Sequence, residues 1–155
     1  MITILAVLNQ AATAISTNSA IAAWMTTNFP TKSLTVFLGD DRVDPPSESN
    51  APFVIVAPGM HPYDMGDSAQ DRRPVIDVDF AILKTSKTTT GHIVACDGIG
   101  LSDALGNLIL TALKSSFGAY HVAAANYTLT PIHPLYEGGF TATLLYEGGV
   151  GEPSL

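Results

Sequence analysis

Between Leu8 and Met25 the apolar side chains return at helical intervals. Leu8, Ala12, Ile15, Ala22 and Met25 mark the stripe, and Ile21 and Trp24 widen it. A 3.6-residue period places such positions on one side of an α-helix, and Pro30 closes the segment because proline cannot continue one. The pattern predicts a single helix over residues 5–28. LTVFL (34–38) and PFVIVAP (52–58) are short apolar runs bounded by Gly, Pro, Asp and Ser. They predict strands separated by a loop at 39–50.

After a second loop, residues 59–71, the period falls to two in RRPVIDVDFAIL. Ile76, Val78, Phe80 and Ile82 face one way, and Asp77, Asp79 and Ala81 the other. The polar stretch KTSKTTTG is expected to turn the chain, so that HIVACD (92–97) returns as an antiparallel partner. Leu101, Leu105, Leu108, Ile109, Ala112 and Leu113 then predict an amphipathic helix over 101–117, its stripe facing Ile76, Val78 and Phe80 or their opposite-face equivalents. Ser102 or Asp97 is the candidate N-cap and Gly118 the stop signal. Two last strands are expected near 119–130 and 140–147. The fold class is therefore α/β (α+β): a mixed, mostly antiparallel sheet flanked by an N-terminal helix and a second helix, in one domain spanning 1–155.

LYEGG occurs twice, at 135–139 and 145–149. Solenoid repeats have periods of about 20–50 residues and need about three copies, so this is not a repeat architecture. The two Gly-Gly pairs are expected to let the chain turn at either end of one last strand.

Composition sharpens the picture. A 155-residue domain buries roughly 70% of its unfolded surface. Charged residues make up only 14% of the chain, well below the usual ~25%. Thr, Ser, Asn and Gly must therefore cover much of the surface, and a mean hydropathy of +0.27 points to subunits that bury surface against one another. The net charge of −7 disfavours gripping a phosphate backbone, which needs clustered cations. Residues 1–31 contain no charged side chain. They lack the positive n-region of a secretory signal, and Asn9, Gln10, Thr13, Ser16, Thr17, Asn18 and Ser19 interrupt any membrane span, so a cytoplasmic chain is expected.

Candidate chemistry is thin. Asp77 and Asp79 share a strand face, a spacing open to a metal or an acid–base pair, but catalytic pairs usually come from different elements and no third ligand is fixed, so a solvated strand face is the expected reading. Asp40, Asp41 and Asp44 lack the glycine and distal glutamate of a calcium loop. Gly98 and Gly100 open a helix after a strand, as a phosphate-binding turn would, but without the third glycine or a P-loop lysine. His61, His92, His121 and His133 have no metal-ligand spacing. A Ser102–His–Asp triad has no nucleophile-elbow pattern behind it, and Cys96, the one cysteine, reads as a small buried residue. Neither an enzyme nor a cofactor or metal site is expected. The charge is concentrated instead in the two long loops: Asp40, Asp41, Arg42 and Asp44, then Asp64, Asp67, Asp71, Arg72 and Arg73. Loops this long are commonly functional, and mixed signs suit contacts with a neighbouring copy.

The order of elements resembles the tail terminator (neck) proteins of long-tailed bacteriophages. The resemblance runs through an N-terminal helix, PFVIVAP, RRPVIDVDFAILKT, the helix LSDALGNLILTAL and the final PIHPLYEGGFTATLLYE. It implies a virion structural protein, assembled in the host cytoplasm, whose homo-oligomeric ring of about six caps the tail tube and meets the head connector. Another neck subunit (head–tail joining) or a tail tube subunit is the alternative, and a small-molecule-binding or enzyme domain with a pocket near Cys96 to Gly100 is a third. In a ring, DNA would pass without specific binding, and Asp77 and Asp79 are the candidate channel-lining residues.

Overall fold

The polar run Ser16–Ser19 breaks the first helix in two. In the computed structural model, which describes residues 3–39, 41, 43–59 and 74–146, α1 spans Ile4–Ser16 and α2 spans Ser19–Asn28. The Asn18 carboxamide oxygen accepts from the backbone N–H groups of Ala20 (3.0 Å) and Ile21 (3.1 Å), capping α2. Thr17 Oγ1 donates to the Thr13 carbonyl at 2.8 Å and ends α1. The single helix expected over 5–28 is thus corrected: a good cap inside an otherwise helical period restarts the helix on a new axis.

Seven strands and one more long helix follow: β1 (Thr35–Leu38), β2 (Phe53–Pro58), β3 (Val75–Leu83), β4 (Lys87–Thr90), β5 (Ile93–Cys96), α3 (Gly98–Ser116), β6 (Tyr120–Ile132) and β7 (Leu135–Tyr146). A 3-10 turn, Glu48–Asn50, precedes β2. The main sheet has the order β1-β2-β3-β7-β6. Only β1 and β2 are parallel; the other neighbours are antiparallel. The fold is therefore the α+β arrangement expected, with a mixed, mostly antiparallel sheet.

The alternation in β3 sorts its side chains as anticipated. Ile76, Val78, Phe80 and Ile82 are buried against the helices, in one cluster with Val7, Ala11 and Ile15 of α1 and Leu105, Ile109 and Leu113 of α3. The α3 stripe is centred on Leu105, Ile109 and Leu113, whereas Leu108 is only partly buried beside it. No helix among the described residues is long and apolar enough to cross a membrane.

Three local expectations fail. KTSKTTTG is not merely a turn: its threonines form β4, and IVAC pairs with them instead of with β3. Thr is β-branched and suits a strand as well as its hydroxyl suits a turn. The last strand begins at Leu135, so the first LYEGG lies inside β7. Gly138 and Gly139 are there for close approach, since a Cβ on Gly138 would sit 2.5 Å from Phe80 Cζ. Finally, α3 starts at Gly98, with Asp97 in the N-cap position but making no side-chain cap bond; Ser102 is already one turn inside.

Candidate functional site

Every described helix of the domain packs on one side of the main sheet, through the cluster just described. The opposite face carries the alternate side chains of each strand, and it divides by chemistry. Towards β1 and the end of β3 it is apolar. Phe53 and Ala81 are buried there with Ala51, and Phe37, Ile55, Leu83 and Leu135 pack around them. The Phe37 and Phe53 rings meet edge-on at 6.1 Å.

Towards the middle the same face becomes polar. Register places Asp79 beside Gly139, Asp77 beside Thr141, and Val75 beside Thr143. Asp77 is half-buried and accepts a 2.8 Å hydrogen bond from Thr141 Oγ1. Asp79 is exposed, and a Cβ on Gly139 would run into its carboxylate, so the glycine gives that side chain its room. Glu137 lies exposed on the next strand, opposite Ala81. None of the described lysines, Lys32, Lys84, Lys87 and Lys114, sits in a strand of this sheet. The central face is therefore a carboxylate and hydroxyl surface, and Asp77 and Asp79 do come together on it.

Of the nine charged loop residues named above, the structure describes Asp41 and Asp44; Asp40, Arg42, Asp64, Asp67, Asp71, Arg72 and Arg73 lie outside the described residues. Asp41 Oδ1 accepts from the N–H groups of Val43 (2.9 Å) and Asp44 (3.1 Å). The Asp44 N–H, then that of Val43, hold its carboxyl below the usual range. This turn leaves Val43 95% exposed, between two carboxylates.

At the other end of the sheet, the β4–β5 hairpin forms its own two-stranded sheet. Its root is fastened by Asp97, whose Oδ1 accepts from Thr88 Oγ1 at 2.8 Å and whose N–H donates to the Ser86 carbonyl at 3.2 Å. Hydrogen bonds from Ser86 and Thr88, with the Lys84 charge, lower the Asp97 carboxyl. Beyond that root Ile93 and Val94 are 72% and 61% exposed. The sequence reading has the second strand of this hairpin but takes the first for a turn; the signal of the first is the β-branched run TTT facing IV across Gly91-His92.

Among the described residues, which exclude His61, the enzyme-like arrangements do not assemble. Ser102 Oγ is buried and without a hydrogen-bond partner, so no described histidine reaches it. His133 Nε2 instead lies 3.1 Å from the Thr85 carbonyl, and His92 and His121 are exposed. At the Gly98–Gly100 turn the Tyr136 ring occupies the space beside Gly98 that a Cβ would need, and the Asp97 carboxylate stands where a phosphate would be repelled. Tyr136 OH is buried beside the half-buried Cys96 thiol; burial, then the thiol, push its pKa up to about 12. A thiol is a weak partner, and the hydroxyl makes no hydrogen bond of regular geometry. Among the described residues no three His, Cys, Asp or Glu side chains group as metal ligands would.

Two open grooves remain. One of about 570 Å³ between α1, the start of α2 and the end of α3 is lined by neutral amides and hydroxyls such as Gln10, Thr13, Asn18 and Ser116. The other, about 340 Å³, lies between Phe29, Lys32 and Lys84. No protein-family model and no curated protein matches the sequence.

Proposed function

We propose that the chain is a ring-forming structural protein of the phage tail terminator kind, with tail tube and head connector proteins as partners and DNA passing through its opening. The observation that carries this reading is the sheet face opposite the described helices, with Asp77, Asp79 and Glu137 among threonines and no described lysine in its strands. A duplex sliding past fixed carboxylates is repelled, and the counterion release that drives non-specific binding does not occur. Such a face lets a polyanion through without holding it. No catalytic step is assigned to the chain, and the reading requires no cofactor.

A domain of this length has a radius of gyration near ~15 Å and is a body roughly 35–40 Å across. By that geometry four bodies in a ring leave a hole of about 15 Å, five about 25 Å and six about 35 Å. A duplex is about 20 Å wide, so a ring of about six passes it freely and a ring of four does not. Electron-microscopy class averages of the purified protein, with DNA binding measured across a salt series, test the reading. Closed rings of about six with weak, salt-insensitive DNA binding are expected. A closed ring with a hole under ~20 Å, or tight binding that weakens steeply with salt, overturns it. Polymerisation into long tubes favours a tail tube subunit instead.

A further inference from the structure

The β4–β5 hairpin is built as a strand pair yet has no core of its own. All four residues of β4 and the first three of β5 are exposed. Ile93 and Val94 are adjacent in one strand, so they point to opposite faces, and each face of the hairpin shows water an aliphatic side chain. An isolated two-stranded hairpin is marginal in water. Here the Asp97–Thr88 bond holds only the root, while the tip is covered by nothing among the described residues. Lys87, paired with Cys96, adds a positive charge at the root end of the arm.

The opposite end of the sheet offers the complementary chemistry. β1 is an edge strand of four residues, the same length as β4 and β5, with no strand beyond it among the described residues. It ends in Leu38, 49% exposed, and leads to Val43, 95% exposed, set between Asp41 and Asp44. Leu38 pairs with Val56 at one end of the sheet, whereas the hairpin leaves β3 after Leu83 at the other. Arm and receiving edge thus sit at opposite ends of one molecule and cannot satisfy each other within it.

We infer that the β4–β5 hairpin is an assembly arm that seats on the β1 edge of a second copy of this chain, against its Leu38, Asp41, Val43 and Asp44. Ile93 and Val94 cover Leu38 and Val43, Lys87 faces Asp41 and Asp44, and the strand edges extend one sheet into the next. A contact between two different surfaces is heterologous, so it propagates head to tail and closes into a ring when the rotation allows. The inference rests on the proposed function only in taking the partner to be a second copy.

Two variants separate the halves of the contact: Ile93→Asp with Val94→Asp in the arm, and Val43→Asp at the receiving edge. All three side chains are exposed, so thermal melts should match the wild type, and sedimentation reads the assembly. Each variant alone should sediment as a monomer. Mixed in equal amounts they should form a one-to-one dimer and nothing larger, because only one intact arm can meet one intact edge. A variant that keeps the wild-type assembly, or a mixture that stays monomeric, overturns the inference. A monomeric wild type overturns both this inference and the ring; open filaments with the complementation intact keep the arm and overturn the ring.

Discussion

Phe80 shows how single residues set the spacing between layers. Its ring, 1% exposed, lies between a helix glycine and a strand glycine: a Cβ on Gly106 would be 2.6 Å from Phe80 Cζ, and one on Gly138 2.5 Å. Gly138→Ala is expected to cost about 1–3 kcal/mol in a denaturant titration, because a packed ring cannot move aside without leaving its rotamer. The sequence displays the Gly-Gly pair plainly but not its purpose, since the ring that needs the space comes from another strand. Tyr136 and Tyr127 add a pH dependence. Burial, first, raises both hydroxyls to about 12, helped by the Cys96 thiol at Tyr136 and by the Asp103 carboxylate at Tyr127. A phenol raised in the fold contributes stability that is whole below its unfolded pKa of about 10 and is lost as pH climbs towards the folded value. Melting temperatures should fall between about pH 10 and pH 12, and the fall should be shallower in Tyr136→Phe.

Among the elements, α3 and β3 were legible because each buries one uniform stripe. Leu105, wholly buried, is the position to test: Leu105→Ala should cost about 2–5 kcal/mol, and Leu108→Ala less, since Leu108 is only partly buried. Equal losses in reversible melts would show that the α3 stripe is centred elsewhere. The division of the first helix was less legible, because Ser16–Ser19 interrupts the hydrophobic period by too little to announce a new axis. Only the side chain of Asn18, turned back onto two backbone N–H groups, makes the break. The β4–β5 hairpin was hidden for the opposite reason. It lacks a buried face, so no alternation marks it, and its threonines fit a turn by composition as well as a strand by branching. The acidic strand face could be read directly: Asp77 and Asp79 alternate with Val78, and period two is enough to put them together.

At the scale of the molecule, sheet order is what the sequence hid most thoroughly. Neighbours along the chain need not be neighbours in the sheet, and β7, the last of the described strands, inserts between β3 and β6. Each of its two pairings is long: β3 meets it from Val75↔Thr143 to Leu83↔Leu135, and β6 from Tyr120↔Tyr146 to Ile132↔Leu135. That placement gives the fold an order in time. While the chain is being synthesised, β3 can pair on one side with β2 but must present its other edge, its backbone groups unpaired, until β7 emerges. Non-local pairing of this sort slows folding and prolongs the interval in which open edges can meet those of other chains. A chain ending at Ile132 should therefore lack a cooperative melt, bind the dye ANS and aggregate. Adding a separate peptide of residues 133–146 should restore the melt, because that strand is what joins β6 to the open edge of β3.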